Sequence, residues 1–387
     1  MEDRPVGPLI RIRRAAASAA LLLGGLLAGC LVAEAILRLL DYEGLSLHAR
    51  HPVLGQTYQP NHDTVIFDPE SGRRIRVVTN SLGFRDRERQ PGRTAARRVV
   101  VLGDSFAAAL SVAFDDTFPQ VCERHLGRLS PGSWEVLNFG VAGFGTAQEL
   151  LAYREYGRRF HPEVVVLCFF SGNDVSDNSS ELSSNPRVYF RLGAEGQLER
   201  EPEARLRRST SSWLNLHSRF YLWQKAQTHK LEQLVKAKVV VNPVHRVFAV
   251  SDDPKLERAW AITRRLVDQL HDEATQDGAR LLAVYVPFSD EVNPDWWQDT
   301  LAHSPPLRDR PWDLEKPERL FAAHCRESGI DLLSPRAAFL AEVGRGGERL
   351  YFKHGHLNER GHRLLGETIA EKIVELQGSG PSHASGS

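Results

Sequence analysis

The 387-residue sequence predicts an α/β chain, a three-layer α/β/α sandwich around a mostly parallel five-stranded sheet. Two observations carry this. Five short runs rich in Val, Leu or Ile, at 98–102, 134–138, 164–170, 281–286 and 330–333, have the character of strands buried on both faces. Between them lie helical patterns at 116–129, 146–160, 255–277 and 316–328, and strand alternating with helix implies a parallel sheet covered on both sides. Composition bounds the class further. An apolar fraction of 42% and a charged fraction of 25% suit a chain that buries a core, which excludes global disorder. Forty-nine basic residues balance forty-nine acidic ones, so no bulk charge points to nucleic acid as a partner.

In chain order, residues 1–14 read as a cytoplasmic N-terminus, with Arg4, Arg11, Arg13 and Arg14 against only Glu2 and Asp3. Residues 15–33 carry no charged side chain and span about 28 Å at helical rise, close to the thickness of a bilayer core. The basic flank holds this end in the cytoplasm and sends the remainder outward. The segment 15–40 is therefore read as a transmembrane anchor or as a lipoprotein signal. For the second reading, Leu27-Ala28-Gly29-Cys30 resembles a bacterial lipoprotein processing site, with Cys30 as the lipidated residue. Apolar character continues past Cys30 to Leu40, which favours the uncleaved anchor. Both readings put the body on the far side of a membrane, in the bacterial periplasm or at the cell surface. A buried core helix would leave the arginine cluster without a reason.

Residues 41–97 are polar and rich in Gly, Pro, Asn and Arg, and read as a stalk with short strands packed on the domain edge. The main domain runs over 98–376, interrupted by an insertion at about 175–254 that is too long for a plain loop. A helix is expected there at 212–238, with Trp213, Leu214, Leu216, Phe220, Trp223 and Leu231 as apolar positions. It could be a lid over the site, but an amphipathic helix bearing aromatics more often docks on the core, and that reading is preferred. A last helix is expected at 358–376, then a small, polar, disordered tail at 377–387.

In parallel sheets, functional groups gather where strands end and helices begin. The first strand ends in Gly103-Asp104-Ser105-Phe106, the second in Asn138-Phe139-Gly140-Val141-Ala142-Gly143 and the third in Ser171-Gly172-Asn173-Asp174. Lys353-His354-Gly355-His356-Leu357-Asn358 stands just before the last helix. Over roughly residues 75–375, these four motifs in this order resemble the SGNH, or GDSL, hydrolase family. The resemblance implies the SGNH-hydrolase arrangement of a flavodoxin-like sheet. It also implies Ser105 as nucleophile and His356 as the base that takes its proton. Acyl transfer needs fixed donors for a developing oxyanion, and the resemblance assigns these to the backbone N–H groups of Ser105 and Gly140 and the amide of Asn173. Asp104 and Asp174 are expected to brace these loops. Thr79-Asn80-Ser81-Leu82-Gly83-Phe84-Arg85 also resembles a prefix of membrane-anchored members, with no chemical role evident from the sequence.

One departure stands out. The family places an aspartate two or three residues before the catalytic histidine, and here those positions are His354 and Lys353. In the serine-protease triad, neutralising the corresponding acid lowers turnover about 10⁴-fold. Three explanations stay open: a Ser105–His356 dyad oriented by a carbonyl, a carboxylate from elsewhere in the chain, or a site that has lost most of its activity. His354, His356 and His362 fit no zinc spacing, so no metal or other cofactor is expected. Gly140, Gly143 and Gly145 follow GxxGxG, not the dinucleotide pattern, and no GxSxG surrounds Ser105. Cys122, Cys168 and Cys325 lie in apolar elements and are read as packing residues.

The expected function is a membrane-anchored extracytoplasmic serine esterase or O-acyltransferase working through a Ser105 acyl-enzyme. O-acetyl groups of envelope or secreted polysaccharide are the preferred substrates. The alternatives are a catalytically weak glycan-binding or scaffold protein, favoured by the missing acid, and a lipase or acylhydrolase acting on lipid esters. The expected partners are thus an acylated carbohydrate or lipid ester and, through the N-terminal segment, the membrane.

Overall fold

The computed structural model describes residues 8–40, 47–183, 187–201, 214, 218–236, 243–251, 253–303, 305–308, 310–345, 349–352 and 355–378. In chain order its strands are β1 (His48–His51), β2 (Gly55–Tyr58), β3 (Asp63–Asp68), β4 (Arg73–Val78), β5 (Arg97–Leu102) and β6 (Trp134–Asn138). They continue with β7 (Val164–Phe169), β8 (Phe190–Leu192), β9 (Leu198–Arg200), β10 (Arg280–Tyr285) and β11 (Asp331–Leu333). The described residues fall into two units, one from 1–46 and 208–235, the other from 47–207 and 236–387.

The larger unit is built on one parallel sheet in the order β11-β10-β7-β5-β6. All five apolar runs read from the sequence enter it. Period-two geometry sends their side chains alternately into two layers. Val100, Leu102, Val165 and Leu167 enter one apolar cluster, while Val99, Val101, Val164 and Val166 enter the other. Helices Thr146–Glu155, Pro254–Gln276 and Lys316–Glu327 supply Leu150, Leu266 and Phe321 to the first cluster. Helices Phe118–Leu129 and Glu359–Gly378 supply Leu126 and Ile369 to the second. The three-layer α/β/α sandwich follows directly. Residues 377 and 378, expected in the tail, continue the last helix, and 379–387 lie outside the described residues.

At the N-terminal end of β5, Arg98 is buried and donates to the carbonyls of Gly92 (2.5 Å), Gln90 (2.9 Å) and Phe160 (3.2 Å) while pairing with Glu135. Residues 47–78 form two antiparallel hairpins, β1-β2 and β3-β4. These are more than edge decoration. Leu54, Tyr58, Ile75, Val77 and Phe84 are buried in the first apolar cluster, so this segment is continuous with the core. Part of the expected insertion also belongs here: the β8-β9 hairpin and its approach are tied to the helix Thr146–Glu155 by Gln148, whose amide donates to Val188 O at 2.6 Å.

In the smaller unit, the helix Pro8–Leu39 includes 24 residues, Ala16–Leu39, with a mean hydropathy of 2.2. By length and composition it can cross a membrane. Leu21, Leu22, Leu26 and Leu27 are exposed on it, as is Cys30, whereas the other three cysteines are buried. The helix expected at 212–238 is observed at Arg219–Lys236, and Trp213 and Leu216 lie outside the described residues. It falls in one unit with the N-terminal helix. The reason is visible at its start: the Glu34 carboxylate accepts from Ser218 Oγ (3.0 Å) and from the N–H groups of Arg219 (3.1 Å) and Phe220 (2.8 Å). A carboxylate at a helix N-terminus satisfies donors the helix cannot bond itself.

Candidate active site

The strand order places a topological switch between β5 and β7, where the chain first turns outward to β6 and then crosses back. Loops beyond the carboxyl ends of such strands form a natural crevice. Ser105 follows β5 there, opening the short helix Ser105–Ala108. Asp104 caps that helix, accepting from Phe106 N–H at 2.9 Å with one oxygen and from the Asn173 amide at 2.7 Å with the other. Asp104 thereby joins the end of β5 to the loop after β7. Asp174 ties the same loop down by accepting from Phe170 N–H at 2.7 Å.

His356 Nε2 lies 2.8 Å from Ser105 Oγ, so the two residues that the motifs suggest are in hydrogen-bond contact across 251 positions of sequence. The other ring nitrogen, Nδ1, lies 2.6 Å from Oε1 of Glu70. A carboxylate only accepts, so Nδ1 carries the proton and Nε2 is left to accept from the serine hydroxyl. Burial disfavours the imidazolium, but the bond to Glu70 and the charges of Glu70, Asp104 and Asp68 outweigh it and raise the His356 pKa above its ordinary value. The ring also rests on Phe106, with centroids 5.1 Å apart.

Glu70 sits in the turn between β3 and β4, 286 residues from His356. The turn is locally built: the Asp68 carboxylate accepts from Ser71 N–H (2.7 Å), its carbonyl accepts from Gly72 N–H (2.9 Å), and Gly72 takes a φ of +68°. Ser111 Oγ donates to the other Asp68 oxygen at 3.1 Å, fastening the hairpin beside the helix that Ser105 opens. Sequence reasoning missed Glu70. The turn signal Asp68-Pro69-Glu70-Ser71-Gly72 is legible, but nothing local says where the turn points. Lys353 and His354, where an acid was sought, lie outside the described residues.

The remaining expected donors are near but engaged. Gly140 is placed against the Ser105–Ala108 helix so closely that a Cβ would come within 2.8 Å of the Ala107 carbonyl carbon, which is why glycine stands there. Its N–H donates to the Asn138 side chain at 2.9 Å, and Asn138 in turn donates to Ala107 O at 2.8 Å. The Asn173 amide carries two N–H bonds, one of them used by Asp104. Asp104, Asp174 and Glu149 are all fully buried. Burial, with the repulsion among them, raises the pKa values of Asp174 and Glu149 well above the carboxylate range.

A cavity of about 240 Å³ opens over Ser105 and His356, walled by Ile66, Phe67, Glu70, Leu110, Ala142 and Leu357. His362 also lines it; burial holds its pKa down to about 3, and its Nδ1 accepts from Phe118 N–H. A larger cavity of about 400 Å³, lined by Arg74, Arg76, Arg87 and Phe114 among others, holds no serine or histidine.

The model of the GDSL-like lipase/acylhydrolase family matches residues 101–364, a span that does not reach Glu70. No curated protein sequence matches the chain. Among solved structures, it is similar to TesA, at 14% identity and a TM-score of 0.38 over 72% of this chain and 99% of that one. It is also similar to the acetyl xylan esterase AlAXEase, at 13% identity and a TM-score of 0.39 over 71% of this chain and 99% of that one. The lipase/acylhydrolase from Enterococcus faecalis matches at 14% identity and a TM-score of 0.39, over 72% of this chain and 96% of that one.

Proposed function

Because the chain belongs to the GDSL-like lipase/acylhydrolase family, we propose that it is a serine esterase or O-acyltransferase whose catalytic triad is Ser105, His356 and Glu70. The observation that carries this is the hydrogen-bonded line from Glu70 through His356 to Ser105, at 2.6 and 2.8 Å. Ser105 Oγ attacks the ester carbonyl while His356 Nε2 takes its proton, and Glu70 stabilises the resulting imidazolium. The oxyanion is received by Ser105 N–H and the Asn173 amide, and by Gly140 N–H once Asn138 releases it. Collapse expels the alcohol, protonated by His356, and leaves an acyl-Ser105. Water or a second hydroxyl then gives its proton to His356 and takes the acyl group, regenerating the serine.

Substrate class rests on the cavity and the anchor. About 240 Å³ is below the usual range of 300–1,000 Å³ for drug-sized ligands, so the site suits a short acyl group better than a lipid chain. With an N-terminal helix able to cross a membrane and arginines ahead of it, the catalytic unit faces away from the cytoplasm. O-acetyl groups on envelope or secreted polysaccharide meet both conditions. The scaffold reading drew on the absent acid before His356, and a carboxylate bonded to Nδ1 removes that motive.

The test is reaction of the detergent-solubilised full-length protein with an active-site serine phosphonate, read by mass. An adduct at Ser105, absent in Ser105→Ala, is expected. A folded protein that gives no adduct overturns the serine-enzyme reading.

A further inference from the structure

We propose that Arg85 is a positioning residue for Ser105: its buried guanidinium holds the turn behind the nucleophile helix and, through that turn, the hairpin that carries Glu70. The proposal rests on Ser105 being the nucleophile. It gives a physical role to the segment Thr79–Arg85, which the sequence singles out.

Arg85 is 1% exposed. Nη1 donates to the carbonyls of Ala108 (3.3 Å) and Ala109, and Nη2 donates to Val112 O at 2.8 Å. Among the described residues no carboxylate pairs with it. A buried cation answered only by carbonyls is costly, and a planar fork with five donors is the side chain that can reach three converging acceptors. Lysine, a point charge on a flexible stem, cannot reproduce that geometry.

The turn it grips needs holding. Ala109 adopts φ +52°, the left-handed region that an L-residue with a Cβ occupies under strain, and its N–H closes the helix onto Ser105 O at 2.9 Å. Leu110 and Ser111, the next two residues, line the cavity over Ser105. Ser111 is also the residue that bonds Asp68, two positions before Glu70. The 108–112 turn is thus gripped by the guanidinium and by the hairpin, and both the nucleophile and the acid hang on it.

Arg85 is itself rigidly presented. Asn80 Oδ1 accepts from Leu82 and Phe84 N–H, both at 3.1 Å, and Gly83 turns at φ +80° where a Cβ would lie 2.5 Å from Tyr58 O. The neighbouring Asp86 accepts from Asn138 N–H at 3.0 Å, linking the segment to the end of β6.

The test compares Arg85→Lys with Arg98→Lys in the full-length protein; Arg98 is another buried arginine gripping carbonyls, at the opposite end of β5. For Arg85→Lys, kcat for an aryl acetate and the rate of phosphonate labelling are expected to fall about 10–100-fold with KM nearly unchanged, the cost of a misplaced nucleophile. For Arg98→Lys, kcat stays within about twofold even where the melting temperature falls equally. Amide hydrogen exchange over 105–112 should quicken about tenfold in Arg85→Lys and not in Arg98→Lys. A milder change that buries no new charge, Ser111→Ala, should lower kcat about 3–10-fold by freeing the hairpin. Equal effects of the two lysine variants on kcat, or unchanged exchange over 105–112, overturns the proposal. A wild-type protein without a Ser105 adduct overturns the esterase reading instead, and the exchange comparison still decides the role of Arg85.

Discussion

Of the three hairpins outside the central sheet among the described residues, β3-β4 and β8-β9 differ in where their tips are held. β3-β4 pairs six residues and β8-β9 pairs three, each with a cross-strand ion pair, Arg76 with Asp63 and Arg191 with Glu199. β3-β4 buries Ile75 and Val77 in the apolar core and is fastened at its tip by Asp68 and Ser111. β8-β9 also buries Phe190 in that core, and its polar turn, closed by Gly193 N–H to Gln197 O at 2.8 Å and bonded by Arg265 to Gly196 O at 3.2 Å, leaves Glu195 exposed. Both hairpins have core side chains at the base; of the two, only β3-β4 has its tip fixed beside the Ser105 helix, where Asp68 accepts from Ser111 Oγ, and so it brings a carboxylate to the site.

The largest expected difference between these hairpins comes from their turn glutamates. Glu70→Gln should lower kcat for an aryl acetate by about 10³–10⁴-fold, as loss of a triad acid does, while Glu195→Gln leaves it unchanged. The same pair separates by pH. Activity needs neutral His356, whose pKa is raised, so the acid limb of kcat/KM should lie above that of an unperturbed histidine. Removing the Glu70 charge moves that limb to lower pH; a limb that stays put in Glu70→Gln would show that Glu70 does not act on His356.

A smaller effect tests whether the hairpin replaces the acid that the family carries before the histidine. In a Glu70→Gln background, His354→Asp should restore kcat by about 10-fold or more, since either position then answers the same ring nitrogen. No gain would mean that the loop before His356 cannot present a carboxylate to it. The smallest effect concerns fastening. Arg73 pairs with Glu359 at the start of the last helix, and an exposed ion pair of this kind is worth little, so Arg73→Ala should lower kcat by no more than about fivefold. Arg191→Ala should not change it. A loss beyond tenfold for Arg73→Ala would make the ion pair a principal hold on the hairpin.

Much of the site was legible because strand ends carry it. Ser105 and Asn173 follow apolar runs whose periodicity is local, and His356 precedes a helix of clear pattern. Glu70 was not legible, and neither was the role of Arg85. Both are polar residues in a segment rich in Gly, Pro and Arg that resembles a stalk, and their partners lie far along the chain. Nor was the pairing of the Arg219–Lys236 helix with the N-terminal helix, made through Glu34, legible in the sequence.

The sequence by itself determined the α/β class, the five strands and the membrane-length helix, and it put Ser105 at a strand end and His356 just ahead of the last helix. Those follow from side-chain periodicity and from turn chemistry, which act over a few residues. Only the tertiary structure decided which acid answers His356 and what a buried arginine grips. These are contacts between segments up to 286 positions apart, set by how the hairpins pack into the core and not by any local propensity.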